Sequence, residues 1–238
     1  MSVRVYVMSN RKYNWALRGF AYLFNLYWSE LQEVIIVTDV EPSFELPPNF
    51  TVKSMSGGKP LPKNRWSDGL IFMLQKIPDD VFVLLLEDYW LIRKVDNVGV
   101  DTLADYMRGH KEILRMDLTD DRQYNGYMKD IGAWGHYDLL ETPNESEYQM
   151  SLQAGIWSRD KLLSVIRPQL DPHEFELYLS PTLHERGDLR VLGTRQRPVR
   201  YANIYYQGKL VPDQIRLVPE EHRKELSKRG WIKGHEKN

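Results

Sequence analysis

The 238-residue sequence contains no cysteine. That excludes a disulfide framework and any cysteine-ligated metal, and it suits a reducing compartment. No apolar run approaches the roughly 20 residues needed to cross a bilayer. The chain opens directly on an apolar strand, Val3 to Met8, with no basic segment leading into a long apolar one. A secretory signal is therefore not expected, and the reading is a soluble, cytoplasmic protein. Familiar phosphate-binding devices are missing too. No Gly-x-Gly-x-x-Gly follows the first strand and no Gly-x-x-x-x-Gly-Lys-Ser/Thr occurs, which removes dinucleotide dehydrogenases and P-loop enzymes. There is no His-Glu-x-x-His and no Gly-x-Ser-x-Gly, so neither a zincin nor a serine nucleophile elbow is in view. Nor is there an excess of charge of one sign: 32 Lys+Arg meet 33 Asp+Glu, so the molecule as a whole is not a polycation.

What is present is a soluble globular composition, 42% apolar and 27% charged, at a length that suits one large domain. The charge is unevenly placed. Val191 to Asn238 holds 11 Lys+Arg against 5 Asp+Glu, a +6 segment on a body of −7. A basic tail of this kind is either solvated surface or a contact for a phosphate-rich partner.

The stretch with most chemistry is Val81-Phe-Val-Leu-Leu-Leu-Glu-Asp-Tyr-Trp90. Six apolar residues in a row predict a strand buried on both faces. It ends in two adjacent carboxylates, Glu87 and Asp88. Adjacent carboxylates repel unless a cation or a proton lies between them. A hard divalent metal carrying a phosphate answers that repulsion, and solvation at a strand end is the plainer alternative. Further strands are predicted over Glu33–Asp39, Phe50–Ser54, Glu112–Leu118, Tyr148–Trp157, Arg190–Leu192 and Ala202–Tyr206. Helices are predicted over Trp15–Trp28, from Asn64 or Arg65 to Lys76, over Asp96–Arg108, over Arg159–Ile166 with Ser158 as cap, over Pro172–Leu179, and in the tail from Pro219, whose end is expected to fray. The stretch Tyr124 to Tyr137 has no clear period and reads as a hairpin or a flap. Alternating strands and helices over the first 90 residues predict an α/β fold with a mainly parallel central sheet. Its strand ends gather Asn10, Arg11, Asp39, Glu87 and Asp88 on the edge where such sheets bind nucleotides. No internal repeat or low-complexity linker divides the chain. The expected organisation is a nucleotide-binding half (1–96), a second half of mixed strands and helices (97–210) and a basic tail (211–238).

Three blocks in order resemble glycosyltransferases of the GT-A fold, in particular small bacterial and phage proteins of that kind. The first is Asn64-Arg-Trp-Ser-Asp-Gly-Leu70 followed by Phe82–Trp90, the second is Tyr148-Gln-Met-Ser-Leu-Gln-Ala-Gly-Ile-Trp157, and the third is His173-Glu-Phe-Glu176 with Tyr201–Leu210. The resemblance implies a single GT-A-like domain, a nucleotide-diphosphate sugar donor over the first half and the acceptor over the second. It implies a carboxylate pair, one member meeting the ribose and the other holding Mn²⁺ or Mg²⁺ on the diphosphate. This chain has Glu87-Asp88-Tyr89 where the family has Asp-x-Asp, which makes Asp88 the first metal candidate and Glu87 the second carboxylate, on the donor. His184 is a further candidate for the metal or a phosphate. Asn10, Asp39, Lys63, Arg65 and Asp68 are the remaining donor-side candidates, the two cations for the leaving diphosphate and the two Asp residues for base or ribose, or as caps. By the same resemblance Glu176 is the catalytic base, with Glu174 as alternate. The two lie two residues apart on a helix, so only one faces a cleft. The segment Gln153-Ala-Gly155 is placed beside donor sugar or acceptor, and Trp134 and Tyr137 are either stacking platforms or core.

The acceptor is open between a saccharide and a hydroxymethylated pyrimidine in duplex DNA, the latter suggested by the +6 segment with Tyr201, Tyr205, Tyr206 and Trp231 interleaved. Two other classes stand beside glycosyl transfer. Nucleotidyl transfer calls for a glycine-rich basic loop after the first strand, and Ser9-Asn-Arg-Lys-Tyr13 has no glycine. A non-catalytic nucleotide- or glycan-binding module is the other.

Overall fold

A computed structural model describes residues 2–124 and 127–233. Its short apolar runs become strands without an exposed face: β1 (Val5–Met8) and β2 (Val34–Thr38) are buried throughout, and β3 (Phe50–Ser54), at the sheet edge, alternates. β4 (Val81–Leu86) is the predicted six-residue apolar strand. Between these strands lie α1 (Leu17–Phe24), continued by a wider turn over Asn25–Ser29, and α2 (Trp66–Leu74), entered through a tight turn at Lys63–Arg65. β5 (Tyr89–Leu91) follows the carboxylate pair at once, and α3 (Asn97–Gly109) is capped by Asp96, whose side chain accepts from Gly99 N–H. The second half runs β6 (Ile113–Asp117), α4 (Asp121–Tyr124), β7 (Lys129–Trp134), β8 (Tyr137–Glu141), β9 (Gly155–Ser158), α5 (Arg159–Val165), α6 (Pro172–Arg186) and β10 (Arg190–Thr194). It closes with β11 (Tyr201–Asn203), the two-residue pair β12 (Tyr205–Tyr206) and β13 (Lys209–Leu210), α7 (Pro212–Ile215) and α8 (Glu220–Lys228).

The described residues form a nine-stranded sheet in the order β3-β2-β1-β4-β9-β6-β10-β8-β7. The first four strands are parallel, as the alternating pattern predicts. Beyond β4 the pairing is mixed: β9 is antiparallel to both its neighbours, β6 and β10 are parallel, and the β7–β8 hairpin closes the far side. Strand side chains alternate between two cores. Val5, Val7, Val34, Ile36, Val83 and Leu85 join α1 and α3 on one face. Tyr6, Met8, Ile35, Val37, Phe82 and Leu84 join α2, α5 and α6 on the other. At one point backbone approach is critical: a Cβ on Gly19 of α1 would meet the Trp90 ring at 2.3 Å, so only glycine lets β5 cross that helix.

Several expectations change. The strand predicted from Tyr148 begins only at Gly155, because Met150 N–H goes to Ser180 Oγ, Leu152 N–H to Glu176 Oε1 and Ser151 N–H back to Tyr148 O, which leaves no ladder. Ser158 stands at the start of α5 but gives no side-chain cap. The Pro172 helix continues to Arg186, so His184 lies inside it rather than after it. The aperiodic Tyr124–Tyr137 stretch yields one strand and the start of the next in a hairpin. The end expected to fray, residues 234–238, lies outside the described residues. Among the described residues no helix is long and apolar enough to cross a membrane.

Candidate active site

Strand order reverses at β1: β2 and β3 lie on one side, β4 on the other. Ligands of open α/β sheets bind at such a reversal, beyond the C-terminal strand ends. Met8 and Leu86 pair in register there, so the next residues of each strand, Ser9-Asn10 and Glu87-Asp88, emerge side by side. Above them lies a cavity of about 380 Å³. Its wall brings together Asn10, Lys63, Glu87, Asp88 and Glu176 from the predicted set, with Trp15, Trp66, His173, Asn203 and Tyr205.

The carboxylates are buried without a counter-charge among the described residues. Glu87 is 8% exposed, and its burial and the neighbouring Asp88 both push its pKa well above the ordinary value. Burial raises Asp88 to about 7. Neither forms an ion pair among the described residues, and Asp88 Oδ1 is buried without a hydrogen-bond partner. The other oxygen, Oδ2, is held by Asn203. The amide orientation that gives both neighbours a donor places Asn203 Nδ2 3.0 Å from Asp88 Oδ2 and 3.0 Å from Tyr205 O. The reverse would set oxygen against oxygen. Glu176 stands one turn into α6, with Oε1 accepting from Leu152 N–H at 2.7 Å. Burial raises its pKa against that hydrogen bond.

The N-termini of α2 and α6 are tied together over one side of the cavity, and several predicted residues serve that tie. Ser67 N–H donates to Leu170 O, Ser67 Oγ accepts from Leu170 N–H, and Asp68 Oδ2 accepts from Gln169 N–H at 2.8 Å. Arg65 pairs with Asp68 Oδ1 at 2.5 Å, and Lys63 Nζ reaches Asp171 Oδ2 at 2.6 Å across the gap. Lys63 alone of these cations and acids lines the cavity. Glu174 is a capping-box residue: its carboxylate accepts from Asp171 N–H while Asp171 accepts from Glu174 N–H, both at 2.9 Å. Asp39 is buried and joins three segments, accepting from the backbone N–H groups of Arg11, Val40 and Leu61. His184 faces Ser146 O at 3.2 Å, well down α6 and off the cavity wall. Trp134 and Tyr137 are on the β7–β8 hairpin, bonded to Thr102 O and Asp96, away from the cavity.

The site thus gathers five of the ten candidates, and it adds Asn203 and Tyr205 from the segment predicted as a strand over Ala202–Tyr206. β11 pairs antiparallel with β5, setting Asn203 opposite Tyr89 and Tyr201 opposite Leu91. Tyr201 stacks on Tyr89 with ring centroids 4.3 Å apart. The β12–β13 turn carries Gly208 at φ +80°, where a Cβ would also come within 3.0 Å of Tyr13. The predicted Ala202–Tyr206 strand and the Tyr201–Leu210 block point to this strap, and neither singles out Asn203.

A divalent metal is the group implied for this fold. Among the described residues no set of three or more His, Asp and Glu side chains converges to hold an ion. A diphosphate-bound Mg²⁺ or Mn²⁺ needs only one or two carboxylates, the rest being phosphate oxygens and water. The unpartnered Asp88 Oδ1 beside Glu87 fits that requirement; His184 does not reach it.

No protein-family model matches the sequence, and a search of curated proteins returns no match. Solved structures do align. A TarS structure from S. aureus (residues 1–349) superposes with a TM-score of 0.50 at 11% identity, over 84% of this chain and 59% of that one. This chain therefore spans rather more than half the length of that structure. A UDP-glucose pyrophosphorylase (TM-score 0.46, 13% identity, 95% and 99% of the two chains) and a cytidylyltransferase from Leptospira borgpetersenii (0.46, 12%, 100% and 99%) superpose less closely. Sheet order, the crevice at the β1–β4 reversal and the TarS superposition agree that this chain has a GT-A-like fold.

Proposed function

We propose that the protein is a glycosyltransferase that takes a nucleotide-diphosphate sugar into this cavity and passes the sugar to a hydroxyl acceptor. The observation that carries the proposal is the meeting of Glu87, Asp88 and Glu176 with aromatic walls in one 380 Å³ space, at the fold's ligand-binding edge. A volume of that order suits a small-molecule site. Three carboxylates and one lysine, itself paired with Asp171, form a poor cradle for a bare diphosphate. Asp88, with Glu87 beside it, would hold a divalent cation, which neutralises the diphosphate and stabilises it as leaving group. Trp15, Trp66 and Tyr205 offer apolar faces to a sugar or base.

In the proposed displacement the acceptor oxygen attacks the anomeric carbon. The bond from that carbon to the phosphate oxygen breaks, its electron pair leaves with the diphosphate, and the acceptor proton passes to Glu176. A carboxylate with a raised pKa and one oxygen anchored by Leu152 N–H is a suitable base, since a pKa nearer neutrality favours proton transfer. Glu174 is committed to its cap and does not share this role. Asp39, Arg65 and Asp68 contribute by holding the loops that shape the cavity.

For the acceptor, the structure supplies a reason to weigh a saccharide ahead of DNA. The aromatics of the basic segment are largely spent on packing: Tyr205 is buried against Trp15, Tyr201 lies on Tyr89, and Trp231 lies under Arg229. Tyr206 alone of the four is well exposed, so the segment offers cations without a stacking platform.

The test is hydrolysis and transfer with a panel of nucleotide sugars, with and without Mn²⁺. The expected result is Mn²⁺-dependent release of nucleoside diphosphate from one donor class, with Glu176→Gln reducing transfer by about 10²–10⁴-fold while donor binding persists. Absence of binding and cleavage across the panel would reject the transferase. A gel shift comparing hydroxymethylated with unmodified duplex decides the DNA acceptor.

A further inference from the structure

We propose that Asn203 is a positioning residue for Asp88: its amide engages Oδ2 so that Oδ1 alone is presented to a divalent cation. This rests on the metal-assisted donor site proposed above.

Four contacts place the amide. β11 sets Asn203 opposite Tyr89, the residue that follows Asp88. Ile204 N–H donates to Asp88 O at 3.0 Å, and Asn203 N–H donates to Gln214 Oε1 at 3.2 Å. The Asn203 Nδ2 is then shared between Asp88 Oδ2 and Tyr205 O at 3.0 Å each. The strap therefore grips the Asp88 turn through both its main chain and its side chain. A carboxylate on a tight turn would otherwise rotate and offer either oxygen. One hydrogen bond to Oδ2 removes that degeneracy and leaves the buried, unpartnered Oδ1 as the open ligand position.

The residue type matters. An aspartate in place of Asn203 would set a third carboxylate against Asp88, and a serine is too short to bridge to Oδ2. A lysine would satisfy both oxygens and displace the metal. Only a neutral donor of this length orients Asp88 without competing with a cation. Partners behind a metal ligand typically account for 10–100-fold in metal affinity. Asn203 also borders a second cavity of about 540 Å³, lined by Thr119, Asp121, Gln153, Arg200 and Tyr201, so the same side chain forms part of the wall between the two spaces.

The experiment titrates Mn²⁺ into the full chain with uridine, cytidine, guanosine and adenosine diphosphate in turn, reading bound metal by electron paramagnetic resonance. Asn203→Ala should weaken Mn²⁺ by about tenfold or more and alter the bound spectrum. Gln214→Ala, which loosens the strap backbone but keeps the amide, should stay within about twofold. Nucleoside diphosphate binding measured without metal, weak in the wild type, should be unchanged in Gln214→Ala. Should Asn203→Ala fail to fold, Asn203→Ser carries the same expectation. A variant with wild-type Mn²⁺ affinity and spectrum would overturn the positioning role while leaving the donor site intact. A wild-type protein that takes up no Mn²⁺ with any of the four would overturn the donor site and this inference with it.

Discussion

Two groups of buried charge lie at the same edge of the sheet, and they are built in opposite ways. At the end of β6, Asp117 is fully buried and its oxygens accept from Thr119 N–H, Thr119 Oγ and Arg122 N–H, with Arg115 and Arg122 within 3.9 Å. Asp121 pairs with Arg122 at 2.7 Å. At the end of β4, Glu87 and Asp88 have no cation, and Asp88 relies on a single amide. Burial pushes the pKa of Asp121 up, but Arg115 and Arg122 outweigh it and hold that pKa below the ordinary value, whereas burial lifts the pKa of Asp88 unopposed by any cation. The first cluster carries its own counter-charges, with Arg115 Nε and Nη1 and Arg122 Nε still buried without hydrogen-bond partners. The second has no counter-charge among the described residues, a perturbation of the kind met at functional sites and also in structural charge networks.

The contrast predicts opposite outcomes on mutation. The largest effect on stability should come from Arg122→Leu, which leaves Asp117 and Asp121 short of a buried partner and should cost about 3–5 kcal/mol in urea denaturation. Asp88→Asn should do the reverse. Transfer and Mn²⁺ uptake should fall by about 10²-fold or more, while metal-free stability near neutral pH rises by about 1 kcal/mol, as is common when an active-site charge is removed.

The pH dependence sharpens this further. The Asp88 contribution is fully present below its ordinary value of 3.8 and is lost as pH rises toward about 7, because the folded state holds its proton more tightly. The stability gained by Asp88→Asn should therefore grow between about pH 4 and about pH 7 and then level off. Asp121 has the opposite sign: its contribution is present above the ordinary value and lost on acidification. Asp121→Asn should cost most at neutral pH and least in acid, by thermal melting across the same range. A parallel pH response of the two variants would break the comparison. The smallest effect belongs to Glu174→Ala, which removes half of the α6 capping box. About 0.5–1 kcal/mol should be lost with transfer retained, in contrast to Glu176→Gln.

The parallel half of the sheet was legible because its strands carry apolar runs, and the carboxylates ending the Val81 strand lie at the edge that bears the cavity. Glu176 and Asp88 could be singled out by residue type and by resemblance. What could not be read was which polar residues face inward. Asp39, Asp68 and Glu174 have the same chemistry as Asp88, yet each is claimed by backbone amides that only the fold brings near. The Tyr148 stretch looked like a strand because its alternation is genuine, but side chains of α6 take its amide protons. Asn203 lies 115 positions from Asp88 in sequence and meets it only through the β5–β11 pair. Long-range pairing of short strands leaves almost no local signal.

The most direct test of the account is a calorimetric titration of Mn²⁺ into wild-type and Asp88→Asn protein, each saturated with a nucleoside diphosphate. The account predicts one Mn²⁺ bound by the wild type and none by the variant, with the variant at least as stable when metal-free. Equal Mn²⁺ binding by both proteins would contradict it.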